Sequence, residues 1–166
     1  MKKGWKMQIR HANTDDLERL TELEKTAFPA GWAASRESIR KRLETFSDHF
    51  WVLEEDGTIV SFINGFDTDT KDLNDEMYDN AGLHDPAGRW QMIFSVVTGP
   101  EYRHHGYAGK LMNKVIEDVK NEGRAGIVLT CEDSLISFYS GFGFVNEGLS
   151  GSRIGGVKWN QMRLSF

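Results

Sequence analysis

The sequence predicts an α/β protein, a mixed sheet with helices packed on its faces. Three observations carry that expectation. Strand-like and helix-like periodicities alternate in the order β-α-α-β-β-β-α-β-α-β-β. Two stretches, "RWQMIFSVVT" and "GIVLTC", are nearly continuous apolar runs of the kind buried on both faces of a sheet. Between them lies an amphipathic helix. A length of 166 residues suits one domain, taken here as residues 1–166.

Each element has a local reason. "KMQIRHA" alternates apolar Met7 and Ile9 with polar neighbours, as a short strand does. "NTDDLERLTELEKTAF" offers Asn13 or Thr14 as a cap, then Leu17, Leu20, Leu23 and Ala27 at helical spacing, until Pro29 and Gly31 stop it. A second helix starts near Ser35 and turns Ile39 and Leu43 inward. "HFWVLEEDGTIVSFING" is a hairpin whose Asp56-Gly57 pair suits the positive φ of a tight turn. From Asp67 to Arg89 the pattern dissolves into an acidic, turn-rich connection, a length that in a compact domain points to function or mobility. After the long apolar strand, "YAGKLMNKVIEDVKNEG" places Ala108, Leu111, Met112, Val115, Ile116 and Val119 on one face and closes at Gly123. "GIVLTC" is a strand, "EDSLISFYSGFGF" a short helix, and "FVNEG" and "GVKWNQMRL" end the chain as strands.

Composition excludes several classes. A net charge of −5 argues against a nucleic-acid surface, which needs clustered basic residues, and suits a cationic small molecule better. One cysteine, Cys131, allows no internal disulfide and no multi-cysteine zinc site, and fits a reducing compartment. The start "MKKGWKMQIRHANTDD" has lysines with no apolar run behind them, and no stretch approaches the ~20 apolar residues of a spanning helix. The expectation is a cytoplasmic protein without membrane or nucleic-acid partners, monomeric or homodimeric.

Residues 102–109, "YRHHGYAG", are the first candidate site. Adjacent histidines rarely aim at one ion and no further Cys or His ligand is spaced nearby, so no metal is expected. Gly109-Lys110 lacks the spacing of a nucleotide-binding loop, and "GFGFVN" fails as a dinucleotide fingerprint. What remains is position. The stretch joins a buried strand to the first turn of an amphipathic helix, whose free N–H groups and dipole attract anions. Gly106, Ala108 and Gly109 leave room for a pyrophosphate, and Arg103 adds charge. A plain glycine-softened turn with two exposed histidines fits the short motif equally well.

The stretch "YRHHGYAGKLM" resembles the R/Q-x-x-G-x-G/A acetyl-CoA loop of the GNAT acetyltransferase superfamily, with Arg103, Gly106 and Ala108 in its fixed places. "LTCEDSLISFYSGFGF" and "LHDPAG" are similar to runs of the serotonin (arylalkylamine) N-acetyltransferase branch, while "DEMYDN" and "SGSRIGGVKW" look more like its bacterial members. The resemblance implies a GNAT fold, a mostly antiparallel mixed sheet of about seven strands and about four helices whose splayed central strands form the acetyl-CoA cleft. It implies acetyl-CoA as cosubstrate. The pyrophosphate would lie on the backbone of His104, His105, Gly106, Tyr107, Ala108 and Gly109, and the pantetheine arm along Val96, Val97 and Thr98.

Moving an acetyl group from a thioester to an amine sets two proton problems. An alkylamine with a pKa near ~10 must be deprotonated, which costs roughly 3.4 kcal/mol at pH 7.5. The departing thiolate leaves more readily when protonated, and the carbonyl oxygen needs a donor. By the resemblance, Val96 N–H is that donor and Tyr139 faces the thiol as general acid. On spacing alone, Tyr139 reads as a core aromatic. Where the animal enzymes carry histidine-x-histidine on the central strand, this chain has Met92, Ile93 and Phe94, so the base comes from elsewhere or from water. Glu76, Asp79 and His84 lie in the acidic segment, whose charge suits a cationic substrate. Phe28, Trp32, Phe94 and Trp90 are candidates for an acceptor pocket, and Cys131 reads as an inert small hydrophobe.

The function expected is direct acetyl transfer in a ternary complex to a primary amine of a small molecule such as an arylalkylamine. A protein N-terminus, lysine or polyamine is one rival acceptor. A non-catalytic acetyl-CoA-binding module is the other reading, motivated by the missing histidine pair.

Overall fold

The computed structural model describes residues 6–166. Lys2 and Lys3, the lysines read at the start of the sequence, lie outside them. In chain order the elements are β1 (Met7–His11), α1 (Leu17–Ala27), α2 (Arg36–Phe46), β2 (Phe50–Glu55), β3 (Thr58–Asn64), β4 (Asp67–Thr68) and α3 (Asp75–Asp79). Then follow β5 (Trp90–Met92), β6 (Ser95–Thr98), α4 (Tyr107–Asn121), β7 (Gly126–Cys131), α5 (Ile136–Ser140), β8 (Val145–Leu149) and β9 (Asn160–Ser165). The surplus over about seven strands and four helices has two sources. The acidic segment contributes β4 and α3, and the apolar run at 89–98 breaks into β5 and β6.

That break organises the molecule. One sheet runs β1-β2-β3-β6 and the other β4-β5-β7-β9-β8, with β5–β7 parallel and the remaining pairings antiparallel. Two strands cross from one sheet to the other side by side, β3 into β4 and β5 into β6. At the crossing Met92 N donates to Phe66 O and Phe94 N to Asn64 O, both at 2.7 Å, while Ile93 N turns to Val128 O on β7 at 2.9 Å. Gly65 sits at the bend, where a Cβ would stand 1.6 Å from Met92 O, so only glycine lets the two backbones approach so closely. Past this point β6 follows β3 and β5 follows β7. A cleft opens between β6 and β7.

Packing follows the two-residue period of the strands. Trp51, Leu53 and Ile63 face α4, whose Leu111, Met112, Val115 and Val119 are buried against them. Val52, Phe62 and Val97 face the opposite way, onto Leu17, Leu20 and Leu23 of α1 and Ile39 and Leu43 of α2. The caps form as the sequence suggests. The Asn13 side chain accepts from Asp15 N at 2.9 Å, and Ser35 Oγ accepts from Ser38 N at 3.1 Å. The hairpin turns on Asp56 and Gly57, both at positive φ. Among the described residues no helix is long and apolar enough to cross a membrane.

Candidate active site

The cleft has two halves, and the first is backbone. Gly99 N donates to Val60 O, so by antiparallel alternation Ser95 and Val97 direct their backbone groups to β3 while Val96 and Thr98 direct theirs into the cleft. The pantetheine contact expected along Val96, Val97 and Thr98 therefore needs correcting at its middle member. Val97 is turned to β3, its carbonyl also accepts from Ser61 Oγ at 2.7 Å, and its side chain is in the core.

Past β6 the chain reaches α4 through Arg103, His104, His105 and Gly106. Gly106 caps the helix at φ 77, a left-handed conformation that costs a residue with Cβ ~1–2 kcal/mol. No side chain caps the first turn, so the N–H groups of Tyr107, Ala108 and Gly109 meet whatever lies in front of the helix. The two histidines are exposed. His105 Nδ1 lies 2.9 Å from Arg103 O and its ring stacks on Tyr107, whose hydroxyl donates to Glu55. Arg103 turns to the cavity. A helix N-terminus, a small-residue first turn, an arginine and a free strand edge together fit a CoA pyrophosphate and its pantetheine arm.

The second half is side chains. A cavity of about 860 Å³ extends from the β6–β7 splay beneath three segments, residues 27–34, 75–79 and 153–159. Phe28, Trp32, Tyr78, Phe94 and Trp159 give it aromatic walls. Trp32 and Trp159 meet edge to face at 5.4 Å, and Gly155 packs so tightly on the Trp32 indole that a Cβ there would stand 2.1 Å from Nε1. Asp75 joins two of the segments, accepting from Ser152 Oγ at 2.6 Å and Arg153 N at 2.9 Å.

Tyr139 stands on the cavity wall where α5 meets β7, held edge-on by Phe138 and Phe144. Burial, helped by Cys131 and Tyr78 nearby, raises its pKa, so the hydroxyl keeps its proton at neutral pH. Cys131 lies on the same wall. Burial, with Asp133 and Glu132 close, pushes its thiol up to about 11, which leaves little nucleophilic thiolate.

Of the acceptor candidates, Phe28, Trp32 and Phe94 line the cavity and three others do not. Glu76 is on the exposed face of α3. His84 is turned away, its Nδ1 accepting from Asp67 N at 3.1 Å and its ring packed on Phe46 and Phe66. Trp90 also misses the cavity and lies under the Arg163 guanidinium. The acidic segment divides in the same way. Asp75 and Asp79 face the cavity, whereas Asp72 pairs with Arg163 and Asp67 is wholly buried. Asp67 Oδ2 lies 3.1 Å from His49 Nε2 and 3.0 Å from Arg124 Nη2. His49, Asp67 and His84 thus come together as potential metal ligands, a grouping invisible in their spacing, with the Arg124 guanidinium already supplying the positive charge.

Sequence reasoning missed the aromatic walls Tyr78 and Trp159 and two buried charges of the cavity, Glu24 and Arg42, 2% and 3% exposed. For the charges the signal was present. Glu24 stands four residues after Leu20 and three before Ala27, and Arg42 stands between Ile39 and Phe46. Both are charges on the apolar stripe of a helix. Arg42 donates from Nη1 to Asn64 Oδ1 at 3.1 Å and from Nη2 to Tyr78 O at 2.8 Å, and it covers the Phe94 ring.

Splayed sheets, a cleft ending on a helix N-terminus and an aromatic-walled cavity beside it are the frame of an acyl-CoA-binding transferase. The chain belongs to the GNAT acetyltransferase family, whose description "Acetyltransferase (GNAT) family" it matches over residues 17–144. Serotonin N-acetyltransferase of Mesocricetus auratus is 28% identical over 113 residues, 68% of this chain and 53% of that protein. The chain thus spans about half the length of that curated relative. Among solved structures, the loading GNATL domain of CurA from Lyngbya majuscula superposes with a TM-score of 0.84 at 17% identity, covering 96% of this chain and 98% of that one. PaiA N-acetyltransferase from Thermoplasma acidophilum, in complex with coenzyme A, gives 0.73 at 17% identity, covering 97% and 99%. The GphF GNAT-like decarboxylase in complex with isobutyryl-CoA gives 0.83 at 22% identity, covering 95% and 98%. At these identities the superpositions establish the shared fold.

Proposed function

We propose that the protein transfers the acetyl group of acetyl-CoA directly to the primary amine of a small molecule with an apolar or aromatic body. The observation that carries this reading is the continuity of the cleft. The free edge of β6 leads from the α4 N-terminus into a cavity that is aromatic on its walls and acidic at Asp75, Asp79 and Glu132. Val96 N–H, turned into the cleft, donates to the carbonyl oxygen as charge develops there. Tyr139 gives its proton to the departing thiolate. With the Cys131 thiol held protonated, transfer needs no acyl-cysteine intermediate.

The aromatic walls of Phe28, Trp32, Tyr78, Phe94 and Trp159 favour a compact aryl- or alkylamine over a protein N-terminus or a polyamine, which a mainly acidic groove would suit better. Acetyl-CoA turnover with phenylethylamine-type amines, spermidine-type polyamines, amino acids and short peptides tests this, read as free thiol release against a control without amine. Arylalkylamines are expected to give the highest kcat/KM. Release equal to the control with every amine would leave only an acyl-CoA-binding module.

A further inference from the structure

We infer that Glu24 of α1 is the group that receives the acceptor's ammonium and takes its proton. This rests on the acetyl-transfer reading above and supplies the base missing from the central strand, where Met92, Ile93 and Phe94 cannot accept a proton.

Glu24 is a charged side chain almost wholly buried in the cavity wall. Its Oε2 accepts from Ala34 N at 2.8 Å, which fixes the carboxylate, while Oε1 is buried with no hydrogen-bond partner. An unpartnered buried carboxylate oxygen costs stability unless something occupies it, and an ammonium is the natural occupant. The position also suits the chemistry. The Ser95 hydroxyl lies beside the carboxylate, one residue before Val96, whose N–H faces the cleft. An amine held at Glu24 is therefore next to the carbonyl it must attack.

The surrounding groups leave this role to Glu24. Arg42 acts on Glu24 through its charge, but its hydrogen bonds go to Asn64 Oδ1 and Tyr78 O, so it tempers Glu24 without capping Oε1. On α3, Asp75 is engaged by Ser152 and Arg153, Tyr78 meets Thr130 Oγ1 and Asp79 is exposed to solvent. Farther along the walls are Arg103, Cys131, Glu132, Tyr139 and Arg153. Desolvation holds Glu24 above the ordinary carboxylate range, opposed by the Ala34 N–H, by Arg42 and by Ser95, which makes it a better match for an amine proton.

The reaction balances as follows. Glu24 takes one proton from the ammonium, and the freed nitrogen pair forms the C–N bond as the carbonyl pair moves onto oxygen. Collapse breaks the C–S bond with its pair leaving on sulfur, which takes the Tyr139 proton. The second nitrogen proton restores Tyr139, and the proton on Glu24 passes to solvent. Ammonium and thioester become amide, thiol and one released proton.

Glu24→Gln keeps an oxygen for Ala34 N–H and removes only the charge. Acetyl-CoA Kd is expected to stay unchanged and Tm not to fall, while kcat/KM for the amine falls about 10²-fold, a general-base scale. The pH profile separates this role from a structural one. In the wild type the acid limb of kcat/KM should fall at one pH for amines of different basicity, because it belongs to the enzyme. In Glu24→Gln the rate should instead climb with the pKa of each amine. Wild-type activity retained by Glu24→Gln, or an unchanged profile, overturns Glu24 alone. If the variant does not fold, the wild-type profile decides, since an acid limb that tracks amine pKa overturns the proposal. Wild-type protein that releases no thiol with any amine overturns the acetyl-transfer reading and Glu24 with it.

Discussion

The two halves of the cleft are built differently. The half proposed to hold the cofactor is one continuous segment, β6 through the first turn of α4, and apart from Arg103 what it presents to the cleft is backbone. The acceptor half is a set of side chains from α1, the 27–34 segment, α2, α3, the end of β7, α5 and the connection before β9. A backbone cradle needs small residues at fixed spacing, which a sequence displays openly. A pocket assembled from distant segments leaves no local pattern, and its members emerge only when the chain has folded.

The largest effect expected from this division falls where the halves meet. Tyr139→Phe keeps the ring against Phe138 and Phe144 and removes the hydroxyl. Stability and acetyl-CoA affinity should change little while kcat falls by ~10²-fold, and less for thioesters with more acidic thiols. Unchanged kcat with a lower Tm would make Tyr139 a structural aromatic.

A smaller effect separates two acids of one segment. Asp79→Asn should raise the amine KM a few-fold, an exposed charge being screened, with acetyl-CoA binding untouched. Asp67→Asn should leave turnover alone and change stability instead. Burial, opposed by Arg124, raises the Asp67 carboxyl to about 8, so between the ordinary carboxylate range and pH 8 the folded protein holds a proton that the unfolded chain has released. Stability should therefore decline as pH rises through that window, by about 1 kcal/mol per pH unit, and level off above it. Asp67→Asn should flatten the curve in melts taken from pH 5 to 9.

The smallest effect belongs to the most conspicuous residues. His104→Ala and His105→Ala should each shift acetyl-CoA Kd by no more than about 2–3-fold in calorimetry, because the cradle we propose is backbone and both rings are exposed. Losses as large as that of a cradle glycine would return the histidines to the chemistry.

The fold was legible where periodicity is local. The cap at Asn13, the helix start near Ser35, the Asp56-Gly57 turn and the α4 stripe all form as expected. The break at Ile93-Phe94 was not, because an apolar run gives no sign of changing partners. It depends on Gly65, 28 residues upstream of Ile93, letting two backbones touch. In the site, motif and position were enough to single out Arg103 and Tyr139, which line the cavity, and Gly106, which stands at the head of α4. Glu76 and His84 misled because helix phase and packing, not sequence proximity, decide which acid or histidine reaches a cavity. Glu24 and Arg42 were overlooked although charges on a buried stripe are costly and point to a use.

The division of labour is tested most directly by crossing two variants with two constants. Gly106→Val strains a left-handed position and crowds the approach to the α4 backbone, while Trp159→Ala opens the acceptor wall. The account predicts that Gly106→Val weakens acetyl-CoA binding by at least ~10-fold, about 1.4 kcal/mol. It should leave the amine KM at saturating acetyl-CoA within twofold, and Trp159→Ala should do the reverse. If both variants shift both constants together, the halves do not act separately and the account is wrong.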